Sequence, residues 1–158
     1  MAENQLKMSD DSASVGGRTQ LRYDSIEQAF PEVEPGLIPF GSKVLVQKRT
    51  PRLYTKGGII VPVESQETEF WNTQVAKVIA LGPQAFKNRT SLEYWPEGAW
   101  CQEGTIVRVP KYGGDRWFVD LPGATSSRME DQACFVIYND LDLIGEITCD
   151  PMEVVAYL

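Results

Sequence analysis

The chain has 158 residues, 42% of them hydrophobic, which suits one domain with a real core and tails. Its 22 acidic residues outnumber 15 basic ones, for a net charge of -7 and a pI near 4.6. That balance argues against a protein that works by neutralising a phosphate backbone and disfavours an anionic membrane surface, since both need an excess of Lys and Arg. No apolar run approaches the ~18 residues of a membrane-spanning helix. The opening "MAENQLKMSDDSASVGG" has no apolar h-region of a secretory signal. A cytoplasmic protein is expected.

Residues 1–36 carry seven acids against Lys7, Arg18 and Arg22, with few apolar residues at any period. The reading is a flexible acidic N-terminal tail with one short helix at Tyr23 to Phe30, stopped by Pro31. From Ile38 the chain changes to short apolar runs. Strands are predicted at Lys43 to Lys48, Gly58 to Val63, Gln74 to Leu81, Thr105 to Val109, Arg116 to Asp120, Cys134 to Tyr138 and Leu141 to Gly145. The breaks between them hold turn chemistry, such as Gly57-Gly58, Gly82-Pro83, Gly113-Gly114 and Pro122-Gly123. Short strands at this spacing predict an all-β fold, a small barrel or sandwich over 37–147, with 148–158 as a C-terminal extension.

Charge divides this region unevenly. Residues 41–63 hold Lys43, Lys48, Arg49, Arg52 and Lys56 and no acid, whereas 120–158 hold eight acids and only Arg128. Inside the basic stretch, "TKGGIIVPVE" places Gly57 and Gly58 before three branched apolar residues, Ile59, Ile60 and Val61. A half-buried strand would alternate polar and apolar side chains, and this one does not. Either the triplet is a strand buried on both faces or it is an apolar tooth displayed for another protein.

Chemistry is scarce. The absence of histidine removes the commonest general base and the Ser-His and Cys-His pairs. "YGGDRW" lacks the spacing of a phosphate cradle. Asp140 and Asp142, two apart, read as a solvated strand edge rather than a metal or acid/base pair. Cys101, Cys134 and Cys149 form no metal-ligand spacing and read as buried or idle thiols. No catalytic residue, metal or cofactor is expected, and the Asn88-Arg89-Thr90 sequon has no meaning in a cytoplasmic chain. The aromatics Trp71, Tyr94, Trp95, Trp100, Tyr112 and Trp117 fit core and loop packing; the alternative is a small single-stranded nucleic-acid-binding barrel that stacks bases on them.

Five segments in order, "IPFGSKVLVQKR" (38–49), "GGIIVP" (57–62), "QVAKVIALG" (74–82), "EGTIVRVPKYGG" (103–114) and "FVIYNDLDLIGEI" (135–147), resemble the successive segments of the GroES co-chaperonin family. The resemblance implies an irregular GroES-like β-barrel and a homo-oligomer, a seven-membered ring that caps a GroEL-type chaperonin in its ATP-bound state and helps enclose substrate proteins. The chaperonin, not this chain, would hydrolyse ATP. It further implies a mobile loop at about 49–66, whose Gly57, Gly58, Ile59, Ile60 and Val61 dock on the chaperonin. A roof segment is implied at 83–103, although its pattern does not alternate cleanly. Residues 1–36 and 148–158 are extra to that pattern, and the loop between Asp120 and Ala133 is long for it. Divergence of this kind resembles a phage-encoded co-chaperonin.

Physical chemistry is compatible with a docking loop. Burying three branched aliphatic side chains offers ~5 to 9 kcal/mol, much of it offset by ordering a loop at ~1 to 2 kcal/mol per residue. One loop binds weakly, while several joined in a ring gain ~10² to 10⁴ in avidity. Arg49, Arg52 and Lys56 are expected to keep the exposed segment soluble. Subunit contacts are expected at the first strand, Val44 and Val46, and the last, Leu141, Leu143 and Ile144.

Overall fold

The computed structural model describes residues 14–15, 18–19, 26–51, 63–123 and 132–154. Near the N-terminus β1 (Ser14–Val15) pairs antiparallel with β2 (Arg18–Thr19). A single helical turn, α1 (Ile26–Ala29), falls inside the predicted span, and its Ile26 carbonyl accepts from the Phe30 amide at 2.9 Å. Pro31 follows, with no N–H to continue the ladder.

The remaining strands are β3 (Lys43–Lys48), β4 (Val75–Leu81), β5 (Ile106–Arg108), β6 (Asp115–Asp120), β7 (Gln132–Asn139) and β8 (Gly145–Glu146). They form one antiparallel sheet in the order β6-β7-β3-β4-β5-β8, the curled sheet of a small GroES-like barrel. Five of these strands match predicted ones to within two residues at either end. Where β3 meets β4 the register slips between Leu45 and Val46, whose partners are Ala80 and Val78. The extra residue, Ile79, is a bulge, which increases local twist and bends the sheet around its core.

Strand alternation explains the packing. Val44, Val46, Ala76, Val78, Val136 and Tyr138 point inward and close on Phe86, Val107 and Leu143. Their neighbours Leu45, Ala133 and Phe135 point outward, yet they are buried too, against Val33, Trp117, Val119 and Ile137. The cover on that outer face is the stretch after α1. Pro31 accepts from the Gln47 Nε2 at 2.8 Å, and Pro35 accepts from the Trp117 indole N–H at 3.0 Å.

That stretch corrects an expectation. Within the predicted tail the stretch 26–36 is packed: Ala29 and Phe30 are buried with Val75, joined by Ile106 and Ile147 and by Met152 and Val154 of the C-terminal extension. In the average composition of a 36-residue acidic stretch these side chains vanish, but burying one of them is worth about 1.5 to 3 kcal/mol. The last predicted strand is corrected as well. Residues 141–145 are not one strand; a 3-10 turn at Asp140–Asp142 precedes the two-residue β8.

Backbones touch where β4 ends. The Gly82 amide donates to the Lys43 carbonyl and the Gln84 amide to the Gly41 carbonyl, each at 2.8 Å. A Cβ on Gly82 would fall on the Gly41 carbonyl, and backbone cannot step aside as a side chain can. Gly145 meets nothing within 4 Å on the same test. Gly82→Ala is therefore expected to cost several kcal/mol and to lower the melting temperature sharply, whereas Gly145→Ala should melt close to the parent. Calorimetry of the two variants decides it; equal melting would show that the 41–82 crossing is not tight.

Candidate docking site

Gly57, Gly58, Ile59, Ile60 and Val61 lie outside the described residues, so the site is built from its two flanks. One flank is the end of β3 with Arg49, Thr50 and Pro51. The other is a helix, α2 (Val63–Asn72), which the sequence reading missed while ending a strand at Val63. "VESQETEFWN" has no apolar residue between Val63 and Phe70, so it offers no helical stripe to recognise. Two signals were present: Pro62 just ahead of the helix and Glu64 in its first turn, where a carboxylate complements the helix dipole.

Aromatic stacking holds α2 to the sheet. Phe70 is buried and stacks on Phe118 at 5.2 Å between ring centroids, and Trp71 meets Phe118 edge-on at 5.7 Å. Arg116 donates to the Trp71 carbonyl at 3.2 Å and lies over its ring at 5.8 Å.

Two cations of the basic stretch are not on the surface. Lys48 is 1% exposed and donates to the Thr73 carbonyl at 2.8 Å. Burial, reinforced by the Arg116 charge, pushes its pKa down to about 8. Arg49 is also 1% exposed. Its Nη1 donates to the carbonyls of Pro151 and Val154, both at 2.8 Å, and its Nη2 pairs with Glu69 Oε2 on α2 at 3.4 Å. This corrects the role expected for Arg49: a guanidinium sealed among acceptors cannot keep a neighbouring segment soluble. Arg52 and Lys56, named for the same role, lie outside the described residues.

The expected subunit contacts separate into buried and exposed. Val44 and Val46 are fully buried in β3, which has β7 on one side and β4 on the other, so no neighbouring chain can reach them. Leu143 belongs to the inner core. Leu141 and Ile144 are exposed, at 54% and 58%. Asp140 is not a solvated edge either; it is buried, its Oδ2 accepting from the Phe86 amide at 2.7 Å and its Oδ1 from the Leu141 amide at 2.8 Å.

Two surface grooves were missed, the first apolar and the second mixed. Leu37, Ile38 and Phe40 are 40%, 82% and 85% exposed along an open groove of about 600 Å³ walled by Ile137 and Tyr138 of β7. Another groove, of about 480 Å³, runs beside β5 and β8 between Trp100 and Ile144, with Glu97 and Glu146 at its walls. The signal for the first was present in "GLIPF", apolar residues locked between prolines and glycines where no sheet partner can cover them.

Segment 83–103 forms a small hairpin despite its irregular pattern. Lys87 and Tyr94 bridge, the Asn88 amide donates to Glu93 at 2.7 Å, and the Trp95 amide donates to Phe86 at 3.1 Å. The Asn88 carboxamide makes the turn, accepting from the Thr90 amide at 2.8 Å. Phe86 and Cys101 root the segment in the core, while Leu92 and Tyr94 project.

Comparison with known proteins gives one family. The model described as "Chaperonin 10 Kd subunit" matches residues 36–145. The chain is 34% identical over 91 residues to a co-chaperonin GroES of Methylacidiphilum infernorum, covering 56% of this chain and 81% of that protein. It is 28% identical over 109 residues to a mitochondrial 10 kDa heat shock protein of Oryzias latipes, covering 69% and 91%. With the GroES of Thermus thermophilus it shares 35% over 92 residues, covering 56% and 80%.

The buried ammonium leaves a pH signature. Folded Lys48 sits near 8 against an ordinary 10.5, so the unfolded chain binds the extra proton between those values and stability from this group rises with pH across that window. Cys101, pushed up to about 11 by burial, acts in the opposite sense above its ordinary 9.0. Subtracting the profile of a Lys48→Met variant isolates the lysine: the difference should move in favour of the parent by roughly 2 to 3 kcal/mol from pH 8 to 10.5. A flat difference would place the ammonium in water.

Proposed function

Because the chain belongs to the Chaperonin 10 Kd subunit family it is a co-chaperonin, and we propose that it acts as a heptameric cytoplasmic lid on a GroEL-type chaperonin in its ATP-bound state. The observation that carries this reading is the extent of the match, 36–145, which runs from ahead of β3 to the first residue of β8 and brackets the Ile59-Ile60-Val61 triplet. In this reading the lid performs no reaction of its own. It docks through the triplet, with Gly57 and Gly58 supplying the turn, and substrate proteins fold in the closed chamber. The hairpin at 86–95 stands where the roof is expected, with Leu92 and Tyr94 at its outer end.

Ring assembly has a physical basis in the apolar strip at Leu37, Ile38 and Phe40 and in the two grooves. They are unlike, one beside β7 and the other beside β5 and β8, so a strip of one copy seated in the groove of the next makes a head-to-tail contact, which closes into a ring when the rotation allows. The edge strands β6 and β8 leave backbone groups for a neighbour to pair. This moves the expected interface from Val44 and Val46 to Ile38 and Phe40, and keeps Ile144.

Two substitutions test the proposal. Phe40→Asp changes a side chain 85% exposed, so the subunit should stay folded, with stability shifted by under ~0.5 kcal/mol, while native mass spectrometry shows rings giving way to monomers. Ile60→Asp should leave both fold and ring intact and abolish co-sedimentation with a chaperonin and nucleotide, because one charge to desolvate is repeated in every subunit. A large loss of melting temperature in Ile60→Asp would instead make the triplet a core strand.

A further inference from the structure

The segments at the base of the docking stretch come from three distant parts of the chain. Arg49 closes β3 and stands three residues ahead of 52–62, the stretch that carries the triplet. Glu69, which meets the Arg49 guanidinium at 3.4 Å, lies on α2, the element that follows that stretch. The other acceptors, the Pro151 and Val154 carbonyls, belong to the C-terminal extension. A turn makes this possible: Asp150 caps it through its carboxyl group and carbonyl, accepting from the Met152 and Glu153 amides at 3.0 Å, so two carbonyls face one guanidinium. One residue further, the Thr50 amide donates to the Ala29 carbonyl at 2.9 Å and its hydroxyl to the Gln28 carbonyl at 2.8 Å, both in α1. Met152 and Val154 in turn pack with Ala29, Phe30 and Val75.

The family match ends at 36 and 145, so α1 and the turn at 150–154 lie outside it. We propose that these two added pieces form a brace that fixes the direction in which the docking stretch leaves and re-enters the barrel, with Arg49 as its positioning residue. The inference rests on the docking reading of the triplet. Arginine suits the post because its planar fork of donors meets several acceptors at set angles, which an ammonium cannot do. A buried ion pair is weak evidence for stability and is better attested as a device that fixes arrangement. Holding both stems removes conformations that a docking segment would otherwise lose on binding, so the brace tightens binding without touching the partner. The effect repeats in every copy of a ring.

The test uses the full chain, a chain ending at Cys149, and a Met152→Ala, Val154→Ala double variant whose altered side chains are only partly buried. Native mass spectrometry first checks assembly of each. Amide hydrogen exchange is then read at Arg49 and Thr50 and at 64–72, and affinity for a GroEL-type chaperonin with nucleotide is measured by titration. The shortened chain is expected to assemble, to exchange roughly tenfold faster at both stems, and to dock on the order of tenfold more weakly, the double variant shifting the same way by less. Unchanged exchange at the stems in an assembled variant overturns the brace, and so does faster exchange with full affinity. Should the shortened chain fail to assemble, the double variant decides by the same two readings. Failure of the full chain itself to bind any chaperonin would sink the docking reading, whereas the stem exchange judges the brace regardless.

Discussion

A guanidinium sealed from water must be met by oxygen atoms from every side it presents, and in this molecule that requirement falls on Arg49. Leaving a buried charge unpaired costs about 3 to 5 kcal/mol, a large fraction of the ~5 to 15 kcal/mol that holds a domain together. The chain therefore has to return after β8 and offer two carbonyls at Pro151 and Val154, and α2 has to present Glu69 toward the end of β3. The positions of the C-terminal turn and of the helix follow from that one demand.

A second consequence of placing cations inside is a sheet with no idle face. β3 runs through the middle of six strands, and its outward residues are covered by the stretch 31–35. Lys48 follows the inward face of the same strand, and the Thr73 carbonyl at the end of α2 receives its ammonium. The two adjacent cations thus point to opposite faces, one toward the turn before β4 and one toward the C-terminal turn. Together they bind the exit of β3 to the elements that follow it in space.

How much of this was legible in the sequence depends on whether the signal was local. β3, β4, β6 and β7 are written as runs of valine, isoleucine and aromatic residues bounded by glycine, and they sit where those runs stand. Helix α2 was not legible because its only apolar pair, Phe70 and Trp71, packs on Phe118, a residue 47 positions further on. Leu141 to Gly145 read as a strand because its apolar residues alternate, but the Asp140 carboxyl group captures the Leu141 amide and turns the backbone into a 3-10 turn. Lys48 and Arg49 looked like surface charge, since nothing in a linear string announces that a turn a hundred residues later will supply acceptors. Of the proposed site, the order of segments was legible and the flanking architecture was not.

The hairpin at 86–95 is fixed very unequally along its length. At its root the Phe86 amide is clamped by Asp140 with φ at +63°, a conformation that a bulky side chain holds only when its surroundings dictate it. At its tip the Asn88 carboxamide caps the turn and the Leu92 amide donates to the Asn88 carbonyl at 2.8 Å, with no core residue beneath them. Mechanically this is a cantilever, set into the wall at its root and standing free in solvent at its outer end. A push on Leu92 or Tyr94 becomes a torque about Phe86, transmitted through one carboxyl group to the end of β7 and from there to β3.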